Sequence, residues 1–163
     1  MTTDVRAVLD DPLAQELLDS RNLLRLGYTA LDGSPRVIPI GFLWNGQELV
    51  LGTTPPARKV KALQRDPRVA GTIDTDTMPP HILLLRGTAT LEVVDGLVPE
   101  WLESSRRHMP AEMYPDFEAQ SRELYKQMVR IVITPTWARL IDFERTAPEA
   151  VEKLMAERTA QGR

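Results

Sequence analysis

Asn45-Gly46 divides two apolar runs, residues 37–44 and 47–53, and constrains the chain more than any other pair in it. A two-residue hairpin turn needs positive φ at its centre. Gly adopts that conformation freely and Asn at little cost, so the pair predicts two tightly joined antiparallel strands. Asp32-Gly33 makes a second such junction after Leu24, Leu26 and Tyr28, which alternate with Arg25, Gly27 and Thr29. Residues 24–29, 37–44 and 47–53 are therefore expected as a three-stranded meander. Residues 68–74 and 81–94 read as two more strands, the second long enough to bend or to cross between sheets, and Asp95-Gly96 closes it. Residues 130–134 and 137–143 return as a strand pair around Pro135.

Helical segments fall between these runs. Asp11-Pro12 supplies an N-cap and a proline at the first helical position, and Leu13, Leu17 and Leu18 then share one face up to about Asn22. Pro55 and Pro56 interrupt the ladder, and residues 57–65 take helical spacing through Val60 and Leu63 until Asp66-Pro67 stops them. Residues 99–107, 114–129 and 148–158 complete the helices. Six or seven hairpin-connected strands with helices at the margins predict an α+β, mainly β, antiparallel barrel or sandwich. At 163 residues and 42% hydrophobic the chain suits one domain, residues 1–163, with 1–10 and 156–163 frayed.

Charge and composition remove several functions. A net charge of −3 gives no field that would draw nucleic acid or an anionic membrane. The absence of cysteine removes disulfides, thiolate catalysis and cysteine zinc sites, and fits a reducing cytoplasm. Acids stand in the first residues where a signal peptide would need a basic start, and no apolar run reaches membrane-spanning length. A cytoplasmic protein with neither nucleic-acid nor membrane partners is expected.

The chemistry concentrates at residues 52–61, GTTPPARKVK. Arg58, Lys59 and Lys61 fall in or beside the first turn of the predicted helix, where the helix dipole already places positive charge and each cation costs a few tenths of a kcal/mol. An anion held by the free backbone N–H groups, the Thr53 and Thr54 hydroxyls and the Arg58 and Lys59 side chains would offset that cost. Phosphate is the usual guest of such a site. The alternative is a solvated face whose cations pair with Asp66, Asp74 or Glu48.

The sequence resembles the pyridoxamine 5′-phosphate oxidase-like, or flavin/deazaflavin oxidoreductase, family of split β-barrels. The resemblance rests on Arg36-Val37-Ile38-Pro39-Ile40-Gly41-Phe42-Leu43-Trp44, which follows the pattern R-V-x-P-x-x-F-x-W. It rests also on residues 54–69, which follow T-x-x-x-x-R-K-x-x-x-L-x-x-x-P-x-V, and on the RGTAT of residues 86–90. It runs from about Leu17 to Thr90, and more weakly through residues 131–143. It implies a six- to seven-stranded antiparallel split barrel with peripheral helices. It further implies that Arg58 and Lys59 grip a cofactor phosphate with Thr53 or Thr54 and Lys61, and that Arg36, Val37, Ile38 and Pro39 line the isoalloxazine. A homodimer with cofactor sites at its interface follows by the same analogy. FMN is the expected cofactor, with the deazaflavin coenzyme F420 as the alternative. The expected activity is flavin-dependent hydride or electron transfer to a small-molecule substrate, with an F420-dependent reductase or a non-catalytic flavin or heme carrier as alternatives. Pro39 removes a backbone donor and predicts an edge or bulge where a ligand can approach.

The remaining candidates carry less. His81 and His108 are the only histidines and have no metal-type spacing, so neither a metal site nor a catalytic triad is expected. The family's pyridoxamine oxidases carry an Arg and a His near the C-terminus. Trp137-Ala138-Arg139-Leu140 lacks that His, so vitamin B6 oxidation is not expected. Trp137 and Arg139 either line a pocket or, for the Trp in its apolar strand, belong to the core or a dimer interface. Trp101, Met109, Met113, Tyr114 and Phe117 either pack two helices on the barrel or roof a substrate site.

Overall fold

The computed structural model describes residues 4–145 and 148–161, and the side chains of these except that of residue 161. Two short helices open it: α1, Val5–Leu9, and α2, Pro12–Asp19. Asp11 caps α2 by accepting from Leu13 N at 2.9 Å, and Leu13, Ala14, Leu17 and Leu18 are buried. The strands are β1, Leu24–Thr29, β2, Pro35–Ile40, β3, Leu43–Trp44, β4, Leu49–Thr53, β5, Arg68–Asp74, β6, His81–Asp95, and β7, Gln127–Asp142. Helix α3, Arg58–Arg65, lies between β4 and β5. Helices α4, Pro99–His108, and α5, Tyr114–Leu124, lie between β6 and β7, and α6 is Glu149–Gln161.

All seven strands form one antiparallel sheet in the order β2-β1-β5-β6-β7-β4-β3. Its two edges are consecutive in sequence, joined only by Gly41 and Phe42. Laid flat, the six steps from β2 to β3 would span about 29 Å at about 4.8 Å each. Two connecting residues reach at most about 11 Å. The sheet therefore curls until the linked ends of its two edge strands come together at that bend, without pairing, which makes it a split barrel. Leu24, Leu26, Leu49, Leu51, Ile73, Leu83 and Ile131 fill the interior and are almost wholly buried.

Four expectations change. Residues 37–44 are two strands at opposite edges, so the meander does not form; closing the barrel requires the chain to bend at Gly41, where a Cβ would fall 2.7 Å from Ser104 Oγ. The helix expected over 114–129 ends at Leu124, because Met128 and Val129 are buried in ladder pairs with Val94 and Val93. The strand pair around Pro135 is one continuous strand. Its proline sits opposite Gly87, at a register shift that leaves Thr136 as the extra residue, and a bulge needs no ladder donor there. The N-terminal fraying does not extend over α1, whose Leu9 is buried. At the other end residues 156–161 continue α6, while 1–3 and 162–163 lie outside the described residues.

Both hairpins form, but over longer connections than a two-residue turn, residues 30–34 and residues 45–48, with positive φ at the glycines alone: Gly33 at +82° and Gly46 at +93°. Asn45 Oδ1 accepts from Gln47 N and Glu48 N and holds its turn. Helix α4 crosses β4 at Gly52, where an added Cβ would lie 2.5 Å from Trp101 Cβ. Glycine there allows the helix its close approach. No helix among the described residues is long and apolar enough to cross a membrane.

Candidate cofactor site

Helix α3 starts immediately after a turn at Pro55 and Pro56 in which Ala57 N donates to Thr54 O at 3.1 Å. Alanine at the N-cap offers no side-chain oxygen, so no side-chain cap satisfies the first N–H groups of the helix. The first turn holds no acid to answer the dipole. Among the described residues Arg58, Lys59 and Lys61 form no ion pair. The acids proposed as their partners are taken: Asp66 binds Arg68, Asp74 binds Arg25 at 2.8 Å, and Glu48 accepts from the Thr134 hydroxyl at 2.7 Å. Lys59 is half-buried, and that desolvation lowers its ammonium pKa.

An open groove of about 380 Å³ runs between the start of α3 and the β1–β2 hairpin, lined by Tyr28, Leu31, Asp32, Arg36, Arg58 and Lys61 among others. Arg65 closes the far end of α3 onto this hairpin by donating to Leu31 O at 2.6 Å. Arg36 lies 3.5 Å from Asp32, whose carboxyl is held below its usual pKa first by the Ser34 hydroxyl and then by the Ser34 backbone. The groove thus gathers three cations against one carboxylate and carries an excess of positive charge.

The structure brings together Arg36, Arg58 and Lys61. Thr53 is buried at the end of β4 opposite Val129, Thr54 is half-buried in the turn, and neither they nor Lys59 line the groove. Along β2, Ile38 packs on the core while Val37 is 69% exposed and Pro39 exposed. β2 is an edge strand, as Pro39 predicted. Tyr28, Leu31 and Asp32 were missed as site residues. Their signal is the Asp32-Gly33 turn, but only the docking of α3 turns it towards Arg58.

Outside the groove, the pairing of β6 with β7 brings His81 Nε2 to 3.8 Å from Asp142 Oδ1, with Glu144 alongside. These residues stand some sixty positions apart, which is why spacing around His81 did not reveal them. Arg145 also binds Asp142.

A split barrel with an uncapped basic helix facing an open groove defines the class: a split β-barrel protein with a basic cleft beside an exposed sheet edge. More narrowly, the chain belongs to the pyridoxamine 5′-phosphate oxidase family, whose sequence model matches residues 11–142. No curated protein matches it in sequence. Among solved structures it resembles an F420 reductase at 20% identity, covering 77% of this chain and 94% of that one with a TM-score of 0.54. It also resembles the conserved hypothetical protein Rv2991 of Mycobacterium tuberculosis, at 20% identity, 87% and 89% coverage and a TM-score of 0.60. The heme storage protein HutZ of Vibrio cholerae matches at 18% identity, 79% and 92% coverage and a TM-score of 0.55. These likenesses are of fold.

Proposed function

We propose that this protein is a flavin-dependent oxidoreductase that binds FMN with its phosphate at the start of α3. The observation that carries the reading is a helix N-terminus with no side-chain cap, no acid in its first turn and three cations that pair with no carboxylate among the described residues. A phosphate dianion would answer the N–H groups and the side chains together. Arg58 and Lys59 would bind it directly, Thr53, Thr54 and Lys61 would assist, and Arg36 would extend the positive field along the groove. On β2 the outward N–H and C=O groups of the edge strand would meet the polar rim of the ring system. Val37 and Pro39 would offer apolar surface to its face.

A bound flavin supplies the hydride or electron transfer, and the protein contributes orientation and exclusion of water. The exposed β2 edge and Val37 support a homodimer in which a second copy completes each site. Vitamin B6 oxidation is not proposed, since the segment around Arg139 lacks the expected histidine. Coenzyme F420 is the second reading, favoured by Arg36 and Lys61, which carry positive charge past the first turn towards where a longer acidic tail would lie.

Titrating the purified protein with FMN, riboflavin and F420 and following the visible spectrum tests this reading. FMN is expected to bind at micromolar concentration and riboflavin at least tenfold more weakly, because riboflavin lacks the phosphate. Tighter binding of F420 than of FMN would select the second reading. Binding of neither would end both. Reduction of the bound cofactor by NAD(P)H and reoxidation by an acceptor then separates an enzyme from a carrier.

A further inference from the structure

His81 opens β6 and Asp142 closes β7, and the two residues are paired directly across the ladder. Directly opposed residues of an antiparallel pair send their side chains to the same face, so the imidazole and the carboxylate share one side of the sheet. Thr75 fixes the backbone of His81: His81 N donates to Thr75 Oγ1 and Thr75 N donates to His81 O, both at 3.0 Å.

His81 Nε2 stands 3.8 Å from Asp142 Oδ1, beyond hydrogen-bond distance, and neither ring nitrogen of His81 has a hydrogen-bond partner among the described residues. Two ligand atoms each about 2.1 Å from one ion, at the tetrahedral angle, lie about 3.4 Å apart. The observed spacing is too wide for a direct bond and close to that of two ligands sharing an ion. The Glu144 carboxylate completes the set, and the three ligand atoms all lie within 4.8 Å of one another. Glu144 is exposed in the turn after β7, so rotation of its side chain closes the remaining distance.

Asp142 is the fixed member, its side chain only 6% exposed. Its Oδ1 accepts from Glu144 N at 3.0 Å and its Oδ2 accepts from Arg145 Nε. Bonds of this kind orient a ligating carboxylate and leave Oδ1 a further lone pair. Arg145 brings one positive charge against three carboxylates: Asp142, Glu144 and Asp11, whose Oδ2 lies 3.9 Å from Arg145 Nη1. A divalent cation balances the remainder.

We propose that His81, Asp142 and Glu144 bind a divalent transition-metal ion of the zinc type, through one imidazole nitrogen and two carboxylate oxygens, with water in the remaining positions. The imidazole selects zinc and its first-row neighbours over magnesium and calcium, which take oxygen ligands. An ion there fastens the end of β7 and the turn after it to the start of β6. None of the three residues lines the groove at α3, so the site does not depend on the flavin reading.

Tag-free, full-length protein without flavin, titrated with zinc chloride, tests the assignment. Calorimetry is expected to show one ion per chain, bound at micromolar concentration or below and not displaced by millimolar Mg²⁺. The chain has only two histidines, so proton NMR follows both rings: the His81 signals should shift on zinc binding while those of His108 stay in place. His81→Ala, Asp142→Asn and Glu144→Gln should each weaken zinc at least tenfold, and His108→Gln should leave its affinity unchanged. Zinc should also raise the unfolding midpoint of the natural chain but not that of His81→Ala. Unchanged affinity in His81→Ala or in Glu144→Gln, whose exposed position spares the fold, would overturn the site. So would movement of the His108 signals in place of those of His81, or displacement of zinc by Mg²⁺.

Discussion

Lys59 carries a cost that a folded protein has no structural reason to keep. It is half-buried beside a helix N-terminus, its charge disfavoured by desolvation, with no acid in the first turn of α3. Replacing a residue whose burial opposes its own charge normally stabilises a fold, so Arg58→Ala with Lys59→Ala is expected to leave the unfolding midpoint unchanged or raise it. The same double variant should weaken FMN at least tenfold, or about 1.4 kcal/mol, in the spectral titration. Riboflavin should be unaffected. Loss of affinity for both ligands alike would place the phosphate elsewhere. Stability and binding moving in opposite directions is the signature of a residue kept for its ligand.

At the scale of elements, α4 depends on one ion pair. Arg130 on β7 donates to Glu100 Oε1 from both Nε, at 3.0 Å, and Nη2, and ties the first turn of α4 to the sheet. Glu100 Oε2 is buried without a partner among the described residues, so the carboxylate relies chiefly on this pair, with its own backbone N–H as a lesser support. Hydrogen bonding from Arg130 holds its pKa below the usual value, against the opposing effect of burial. The folded state consequently binds fewer protons at Glu100 than the unfolded chain. Its contribution is complete above the ordinary glutamate pKa, about 4.3, and is lost as pH falls through the lower folded value. Arg130→Met should cost about 1–3 kcal/mol in urea unfolding at pH 7. The deficit should shrink progressively below about pH 4, where protonation removes the pair from the natural chain as well. A deficit independent of pH would assign the loss to packing.

For the whole molecule, the split between β2 and β3 leaves β2 with a neighbour on one side only and places an apolar residue, Val37, in solvent. An exposed edge of this kind invites pairing or cover. Sedimentation equilibrium is expected to give twice the 18.4 kDa chain mass. Val37→Lys should shift the population towards monomer and weaken FMN in parallel. A monomer with undiminished FMN affinity would show that one copy suffices.

Local chemistry was legible along the chain. Asn45-Gly46 and Asp32-Gly33 specified their hairpins because positive φ is a property of the turn residues themselves. Asp11-Pro12 and Asp66-Pro67 marked helix limits because capping and the missing proline donor act within one turn. The basic start of α3 was legible for the same reason, and so was the unusual sign of its charge. Tertiary structure decided what local chemistry could not. Residues 37–44 read as one strand, and only the requirement that the barrel close divided them between two edges. Pro135 read as a break until Gly87, across the sheet, accommodated a bulge. Acids near in sequence or of suitable charge appeared able to pair with Arg58 and Lys59, yet packing assigned each of them another partner. Helix α4 lies on Gly41 and Gly52, contacts between segments about fifty to sixty residues apart. Turns and caps are written in neighbouring residues; closure, partner choice and cavities depend on which distant surfaces meet.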